Sequence, residues 1–584
     1  MKSLFFLRIA CLLPLCLSAH NDGYIRYQSI RPTADERQQI EAYIRQQSVH
    51  FDRTEGMITR SFSGWHYHRD AQEGVFHDTR LSLYYALALL DAGSRHLEEE
   101  AFTIIRKVID WQDTDPQSPS CGVWPYFTEE PLQTKKSSID YNWADFIGVV
   151  LLDIYTGHRD RLPEELQAEI RQALIRAAEA IRKRNVHPGY TNIAVMGSYV
   201  TYMTAHLFDL PGLKEYAARR WRSFYEYTRF QGGFSEYNSP AYTVIVLDEL
   251  LRMKTHIVEK EAQGMADTLY VAAWEMIARH FHQPSGQWAG PQSRSYSTFA
   301  EPSFYGLLHQ ALGGKINGEQ QPERYNIRLK HSVPEHLSPY FLSPQYPRTE
   351  KDVFNRNPPQ VEGTCLLAET YTLGSVNRSN FWRQRRPLLA YWGTPDAPSY
   401  LQLRFLHDHY DFCAANFYST QAENKVLAAI TFSTNGGDKH VRNDDLVGGR
   451  FNASDLRLRF EFGNVAADAL PCPSSSHETL AFRIGEMPFM FRLFYARFGN
   501  EQGHWEKGQD GNTAWLDYVI YSGEEKEVNL AEMTAAALGF VLAMGEEAMP
   551  GGVSFSEQDG FLSARWENMQ LSTPLKPKEK EENL

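Results

Sequence analysis

Residues 231–242 read Q-G-G-F-S-E-Y-N-S-P-A-Y and interrupt a long helical part of the chain. The two glycines predict the end of one helix, because glycine accepts backbone angles that other residues avoid. Pro240 predicts the start of the next helix, since proline suits the first helical turn. Between these signals, Glu236, Tyr237 and Tyr242 crowd a polar and aromatic helix entrance. In isolation, this pattern is more typical of a capped turn whose tyrosines pack in the core.

Amphipathic helical patterns surround this stretch from residue 30 to residue 313. Leu83, Leu87 and Leu90 fall on one stripe, as expected for a helix with one apolar face. The same periodicity, separated by Gly-, Pro- and Asp-rich links, recurs at residues 146–155, 164–182, 193–208, 213–227, 244–256 and 266–281. Roughly ten such helices with short links predict stacked antiparallel hairpins, which build an incomplete or complete α/α toroid.

The pattern changes to alternation after residues 314–349, a Pro- and Gly-rich stretch that we interpret as a linker. Alternating polar and apolar side chains predict half-buried β-strands. Such runs lie at residues 400–405, 426–432, 456–462, 489–495, 515–521 and 538–544. We therefore predict an α+β multidomain protein. Its parts are a signal peptide (1–19), a toroid catalytic domain (20–313), the linker, an antiparallel β-sandwich (350–573) and a disordered tail (574–584).

Composition and charge limit the functional class. The chain of 584 residues has a formal net charge of −13, which argues against a general nucleic-acid binder. Residues 1–19 combine basic residues with an apolar run ending in Ser18 and Ala19, which is typical of a cleaved secretory signal. No later run has the length of a transmembrane helix. We expect export to the periplasm or cell surface of a bacterium, with the remaining cysteines as free thiols or one incidental disulfide.

A basic and aromatic cluster leads into the first strongly apolar helix. His77, Arg80 and Tyr84 share one helical face at spacings of three and four, and Trp65 and His66 lie shortly before them. Arginine offers a carboxylate two parallel hydrogen bonds, so this face fits recognition of an acidic ligand. A solvated face with a salt bridge explains the same residues equally well.

Two further helix entrances carry polar residues. Asn142 and Trp143 open an apolar helix and suit a sugar-binding surface, although capping and aromatic packing also explain them. Asn192 opens the helix that lies two before the one entered at Pro240. In antiparallel hairpins such entrances lie at the same end, so we expect both at one end of the toroid.

A fourth cluster, L-H-D-H-Y-D-F at residues 406–412, lies in the predicted β domain. In a strand, His407, His409 and Asp411 share one face because successive side chains alternate. Two imidazoles and a carboxylate on one face predict part of a metal site, or a general base with its orienting partner. The sequence has no convincing phosphate loop, serine-hydrolase elbow or H-E-x-x-H motif.

The order of helical domain, tyrosine motif and H-x-H-x-D strand resembles the toroid-plus-β-sandwich polysaccharide lyases, the heparinase II/III and alginate lyase group. The resemblance implies that Asn192 neutralises a uronate carboxylate and that Tyr242 protonates the leaving oxygen. It further implies that His407 or His409 helps to remove a proton. No cofactor is required by this scheme, although it allows a structural divalent metal, zinc or calcium, at His409 and Asp411.

Two departures from the family pattern keep alternatives open. The family's Asn-His pair reads N-I here, so His77 or Arg80 would share the neutralising role. Its E-G-S motif reads E-Y-N, so Tyr237 competes with Tyr242 for the role of acid. With W-H-Y-H-R-D and H-D-T-R, the chain is most similar to bacterial lyases that remove L-rhamnose capping D-glucuronate on arabinogalactan, as in gum arabic. The implied function is β-elimination at O4 of a uronate in an acidic polysaccharide or glycoprotein glycan.

Two rival functions fit the same composition. A toroid glycoside hydrolase needs two carboxylates flanking the bond, for which Asp140, Asp145 and Glu236 are candidates. A glycan-binding surface protein would instead use exposed tryptophans as stacking platforms. Its candidate platforms are Trp65, Trp143 and Trp288.

Overall fold

The computed structural model describes residues 23–28, 30–64, 68–318, 327–436, 446, 448–475, 477–548 and 551–580. The predicted signal peptide and the predicted binding residues Trp65 and His66 lie outside these described residues. Helices occupy the first part of the described chain and antiparallel sheets the second, so the predicted mixed helix-and-sheet class is confirmed. Closure of the helices into a toroid, the β-sandwich class and the domain boundaries stay predictions.

Eleven α-helices lie in the described residues. They are α1 (Ala34–Ser48), α2 (Thr79–Ala92), α3 (Arg95–Asp110), α4 (Trp143–His158), α5 (Glu164–Arg184), α6 (Thr191–Leu207), α7 (Pro211–Gln231), α8 (Tyr242–His256), α9 (Lys260–His280), α10 (Pro302–Ala311) and α11 (Ser338–Leu342). Five short strands accompany the helices and had no counterpart in the sequence prediction. They are β1 (Phe51–Asp52), β2 (Met57–Ser63), β3 (Glu73–His77), β4 (Phe281–His282) and β5 (Gln287–Trp288). None of the described helices is both long and apolar enough to cross a membrane.

The helices pack in two layers. Helices α2, α4, α6 and α8 contact one another in that order, and each also contacts the helix that follows it, α3, α5, α7 or α9. The first set is inner, because α6 is buried at every residue from Thr191 to His206. The outer helices α5 and α7 bury only one stripe each, as their amphipathic sequences predict. The described structure therefore has one helical core, with the entrances of the inner helices as neighbours.

The second half of the described chain forms antiparallel sheets. Its strands are β6 (Arg348–Asn355), β7 (Val361–Leu367), β8 (Tyr371–Val376), β9 (Arg378–Asn380), β10 (Leu388–Thr394), β11 (Ala397–His407), β12 (Tyr410–Asp411), β13 (Ala415–Ala422), β14 (Lys425–Phe432), β15 (Arg450–Gly463), β16 (Thr479–Ile484), β17 (Met487–Phe498), β18 (His504–Asp510), β19 (Thr513–Asn529), β20 (Ala536–Met544), β21 (Ser554–Gln558), β22 (Phe561–Trp566) and β23 (Met569–Pro574). A nine-stranded sheet has the order β18-β19-β15-β11-β10-β8-β7-β6, with β12 paired to β11. A six-stranded sheet has the order β16-β17-β20-β14-β13-β9, and β21, β22 and β23 form a small third sheet.

The two large sheets share one apolar core. The ring of Phe460 in the nine-stranded sheet lies 4.6 Å from Phe491 and 5.3 Å from Phe540 in the six-stranded sheet, measured between ring centroids. Phe405 and Phe432 meet in the same way at 5.0 Å. The alternating strands therefore turn their apolar sides toward each other, which removes those side chains from water.

The chain end corrects one prediction. Residues 575–580 are held in place, although we predicted a disordered tail from residue 574 onward. Leu575 is buried, and its carbonyl accepts a hydrogen bond from the backbone N–H of Ala536 at 2.8 Å. Lys578 pairs with Ser433 in a parallel bridge. The charged composition suggested disorder, but the apolar side chain of Leu575 packs in the core and holds this segment. Residues 581–584 lie outside the described chain.

The helical part and the sheets meet along β6, which begins at Arg348 inside the predicted linker. Arg279 at the end of α9 pairs with Glu350 at 2.8 Å and also with Asp352. The ring of Tyr237 stacks on Phe354 with centroids 3.7 Å apart. The turn at residues 231–242 is therefore placed directly against the sheet.

The described cysteines are free thiols. Cys365 and Cys413 are buried, and Cys121 and Cys472 are reached by solvent to different degrees. The alternative of one incidental disulfide is not realised among them.

Candidate active site

A cavity of about 360 Å³ opens where the entrances of α6 and α8 face the sheets. Its charged lining residues in the described chain are Glu236, Arg294, Arg378 and Arg385, and Tyr237 and Trp382 supply aromatic surface. Three arginines against one carboxylate make this cavity basic in a chain whose formal net charge is −13. Such a cavity attracts an anionic ligand.

Asn238 and Ser239, in the turn before α8, hold the cavity wall in place. Asn238 has a positive φ of 41° and is fully buried, and its side-chain amide donates to the carbonyl of Pro291 at 2.7 Å. The hydroxyl of Ser239 accepts from the backbone N–H of Tyr242 at 3.0 Å and donates to the carbonyl of Arg294 at 2.6 Å. These bonds fix the segment around Arg294 relative to the start of α8.

Arg294 is the centre of the cluster that results. Its guanidinium donates to the Glu236 carboxylate at 2.9 Å, to the Tyr242 hydroxyl at 3.0 Å and to the Gln384 side-chain oxygen at 2.7 Å. The Tyr242 hydroxyl also shares a 2.6 Å hydrogen bond with the hydroxyl of Tyr296. One cation thus binds a carboxylate and one member of a hydrogen-bonded pair of phenols at the edge of the cavity.

The electrostatics of the cluster favour a protonated Tyr242. Burial raises the pKa of Tyr242, and the cation of Arg294 opposes this rise. Burial likewise raises the pKa of Glu236 against the opposing charge of Arg294. For Tyr237, burial raises the pKa to about 12. At neutral pH Tyr242 therefore holds a proton, and a neighbouring cation stabilises the anion left when that proton departs.

The structure brings Asn192 and Glu236 together. The backbone N–H of Asn192 donates to Glu236 at 3.0 Å, and the backbone N–H of Glu236 donates to the hydroxyl of Thr191 at 3.2 Å. The entrances of α6 and α8 thus lie at one end, as the hairpin pattern indicated. The side-chain oxygen of Asn192 is buried and accepts no hydrogen bond from the described residues.

Asn142 reaches the cavity wall, whereas Trp143 does not face it. Asn142 donates to the hydroxyl of Tyr190, a lining residue, at 3.1 Å and accepts from Arg184 at 2.6 Å. Trp143 is only 4% exposed, and its ring packs edge-on against Tyr126 at 4.4 Å. The prediction that Trp143 offers a sugar-binding face is therefore wrong, because the indole belongs to the helical core.

His77 and Arg80 form a separate group at the start of α2. His77 contacts Glu129 at 2.6 Å and Asp52 at 3.2 Å. Burial lowers the pKa of His77, but these two carboxylates outweigh burial and raise it. The guanidinium of Arg80 lies 4.4 Å from the centre of the Phe146 ring. Neither residue is among the described lining of the Glu236 cavity.

The predicted strand face of His407, His409 and Asp411 is wrong. Strand β11 ends at His407, Asp408 and His409 form a turn with φ of 44° and 73°, and Asp411 lies in the returning strand β12. Two residues with positive φ make the tight hairpin turn that reverses an antiparallel strand. The prediction from alternating side chains fails because Asp408 and His409, in the middle of the motif, form a turn that reverses the chain.

His407 lies inside the β-domain core. Its Nε2 bonds to the carbonyl of Asn452 at 2.7 Å, and its ring packs edge-on against Phe412 at 5.3 Å. Asp411 pairs with Arg404 at 2.7 Å. No described group of three or more His, Cys, Asp and Glu side chains is arranged to hold a metal ion, so the implied zinc or calcium does not fit these residues.

The residues proposed for the rival functions are dispersed. Glu236 is the only carboxylate among the described lining residues of the cavity. The carboxylate of Asp140 instead accepts from the backbone N–H of Asn142 at 3.0 Å, and Asp145 is 2% exposed inside the helical layer. Trp288 is 1% exposed and donates to Asn238. The described residues thus provide neither a carboxylate pair in the cavity nor a platform at Trp288.

Several residues in and beside the cavity were not predicted from the sequence. Arg294 and Tyr296 lie in the short segment R-S-Y, and Trp382 and Arg385 follow β9. Their types, arginine and aromatic residues, suit an acidic sugar, but no local periodicity marks them.

Comparisons with known proteins give a partial family match and remote structural likeness. A family model described as Domain of unknown function (DUF8769) matches residues 51–341, slightly less than half of the chain. No curated protein matches the sequence.

Solved structures with a similar arrangement include polysaccharide lyases and a hydrolase. Heparinase III is 9% identical with a TM-score of 0.39, covering 94% of this chain and 92% of its own. Chondroitin AC lyase of Streptomyces coelicolor A3 is 8% identical with a TM-score of 0.42, covering 92% and 84%. Endoglucanase CelQ of Clostridium thermocellum is 9% identical with a TM-score of 0.26, covering 90% and 86%. Likeness at these scores does not decide the activity.

Proposed function

We propose that this protein is a polysaccharide lyase that cleaves a glycosidic bond at O4 of a uronic acid by β-elimination. The observation that supports the proposal is the Glu236–Arg294–Tyr242 arrangement at a cavity lined by three arginines. Elimination from a uronate places negative charge on the carboxylate as the C5 proton leaves, and fixed cations stabilise that charge. A buried phenol beside a cation then supplies the proton for the leaving sugar.

Arg378, Arg385 and Trp382 are the proposed substrate-binding residues. Arginine fits a carboxylate with two parallel hydrogen bonds, and an indole ring packs against the apolar face of a sugar. The ring of Trp382 is partly exposed, and its centre lies 4.6 Å from the guanidinium of Arg294. A sugar bound at Trp382 would therefore have its reacting atoms close to Tyr242.

The proton transfers in this proposal use the pair formed by Tyr242 and Tyr296. Their hydroxyl oxygens lie 2.6 Å apart and share a hydrogen bond. In one concerted step, one oxygen takes the C5 proton, the proton of the shared hydrogen bond passes between the two oxygens, and the other oxygen gives its proton to O4. The C4–O4 bond breaks and a C4=C5 double bond forms, and the pair ends with as many protons as it began with. Arg294 stabilises the negative charge that develops on the oxygens during this transfer.

The finer substrate proposal is exo-acting removal of L-rhamnose from D-glucuronate on arabinogalactan glycans. It rests on the short motifs in the sequence, and the three arginines of the cavity support an acidic sugar over a neutral one. We also propose that the protein is exported to the periplasm or cell surface. The reaction as written moves only a proton and a bonding pair, so no redox cofactor takes part.

The test is incubation of the purified mature protein with gum arabic and with a panel of uronate polymers. Ultraviolet absorbance follows the new double bond, and chromatography follows released sugar. Tyr242→Phe is the matched control, because it removes one oxygen and keeps the ring.

The combination of signals decides the function. Rising absorbance with free rhamnose supports the full proposal, and rising absorbance on another polymer supports the lyase but not the rhamnose substrate. Free sugar without absorbance identifies a hydrolase. No reaction on any polymer, with binding retained, identifies a glycan-binding protein.

A further inference from the structure

We propose that the protein has a second binding site, for an anionic sugar, centred on Arg220. The site is a cavity of about 480 Å³ between α6, α7 and the loop after α5. His187 and Pro188 of that loop line this cavity, whereas the next two residues, Gly189 and Tyr190, line the first one. Both cavities are therefore lined in part by one short loop.

Arg220 is a buried cation with unused donors. The residue is only 8% exposed, and its guanidinium donates to the Tyr216 hydroxyl at 3.2 Å and to the Ala194 carbonyl at 3.5 Å. A guanidinium has five N–H donors, and its Nε–H is buried without a partner. No carboxylate of the described chain lies within the 4.0 Å of an ion pair with Arg220. A buried charge left in this way is costly, and an anionic ligand would remove that cost.

The neighbouring carboxyl group of Asp145 compensates this charge only in part. An added Cβ on Gly197 would lie 2.6 Å from Asp145 Oδ1 and 2.8 Å from Arg220 Nη2, so both groups converge over this glycine of α6. Asp145 Oδ1 is buried and has no hydrogen-bond partner among the described residues. Burial raises the pKa of Asp145 to about 7, so near neutral pH a large fraction of this carboxyl is uncharged. Arg220 therefore keeps a net positive charge on the cavity wall.

The rest of the lining suits a sugar. Ser223 and Asn185 supply a hydroxyl and an amide group, and Tyr216 and Phe224 supply ring surface. The described lining contains two arginines, Arg219 and Arg220, and no aspartate or glutamate. Cavities of roughly 300–1,000 Å³ hold small molecules. One buried cation, neutral polar groups and two rings match a monosaccharide that carries one carboxylate.

Calorimetric titration of the full chain with glucuronate tests this site. The background variant combines Arg378→Met and Arg385→Met, which remove the proposed carboxylate-binding residues of the first cavity, so that remaining binding reports the second cavity and no catalytic activity is needed. We expect saturable binding that Arg220→Met weakens at least tenfold. Ser223→Phe, at an exposed position on the rim, should weaken it similarly by filling the cavity without disturbing the core. Arg222→Met is the matched control, because Arg222 lies on the same helix and pairs with Glu261 outside the cavity.

Each outcome separates this site from the proposed lyase reaction. Binding that survives Ser223→Phe, or no saturable binding at all, overturns the second site whether or not the protein is a lyase. Equal affinity for glucose shows that the carboxylate is not recognised, and equal affinity for inorganic sulfate shows that the sugar is not; either overturns the proposal. If Arg220→Met does not fold, Ser223→Phe alone decides.

Discussion

The guanidinium of Arg294 donates a hydrogen bond to the hydroxyl oxygen of Tyr242 across 3.0 Å. The same cation pairs with Glu236, so its position is fixed by a second strong contact. Burial makes Tyr242 hold its proton, and Arg294 stabilises the oxygen after the proton leaves. A general acid needs both properties, and the pairing is the strongest chemical feature of the cavity.

Tyr242→Phe should abolish most of the activity while leaving the fold intact. The phenylalanine ring keeps the packing and the start of α8, but the proton donor is lost, which typically costs roughly 10²–10⁴-fold in kcat. The rate of double-bond absorbance at saturating substrate measures this effect. Tyr237→Phe is the control, since the ring of Tyr237 would still stack on Phe354. A larger loss from Tyr237→Phe would transfer the acid role to Tyr237.

Arg294→Lys should lower kcat by about 10²-fold, the typical effect of removing one preorganised donor. Lysine keeps the charge, but its ammonium cannot reproduce the planar contacts to Glu236, Tyr242 and Gln384 at once. Steady-state kinetics should show a smaller change in KM than in kcat. The exposed Arg383 provides the control, and Arg383→Lys should behave as the wild type. If Arg294→Lys and Arg383→Lys changed kcat equally, the positive charge of Arg294 would matter and its planar contacts would not.

His407→Gln should reduce stability more than catalysis. The imidazole bonds to the carbonyl of Asn452 and packs against Phe412 and Phe451, and none of these residues lines the cavity. Loss of this buried hydrogen bond and its packing typically costs about 1–3 kcal/mol. Denaturant unfolding measures the cost, and kcat of the folded variant should stay within about twofold of the wild type. A large loss of kcat in a His407→Gln variant that is still fully folded would support the proton-removing role that the family resemblance implies.

Helices and strands with strong periodicity were predictable from the sequence. The run at residues 244–256 lies within α8, and the run at residues 426–432 lies within β14. These elements bury one clear apolar face, so local pattern and tertiary packing agree. The common end of the α6 and α8 entrances followed from the same hairpin geometry.

The residues around the cavity were only partly predictable because tertiary contacts create the site. Glu236 and Tyr242 stood out as a local motif, but Arg294 reaches them from a segment more than fifty residues later. The turn at Asp408 and His409 was missed because neither residue is the glycine or asparagine that usually marks such a turn. Trp143 was misplaced because an indole in the core and an indole in a sugar site look identical in sequence.

Asp145 should make the protein less stable as pH rises from about 4 to about 7. Its folded-state pKa of about 7 is raised by burial, with Arg220 and Arg184 opposing and Asp140 adding to the rise. The native state therefore binds more protons than the unfolded state between the ordinary aspartate pKa and pH 7, and stability falls across this window. Above pH 7 the loss is complete, because the carboxyl is ionised in both states.

Asp145→Asn removes this ionisation and keeps the shape of the side chain. We expect the variant to be more stable than the wild type at pH 8, on the order of 2–4 kcal/mol, with the difference shrinking toward pH 4. Denaturant unfolding across this range measures the free energy of unfolding of both proteins. Subtracting one from the other removes the contribution of other buried groups, such as Glu249, whose pKa burial also raises to about 7. If the stabilities of the two proteins changed with pH in the same way, Asp145 would be ionised in both the folded and the unfolded state across this range. Arg220 would then be fully compensated, and a main reason for an anionic ligand in the second cavity would disappear.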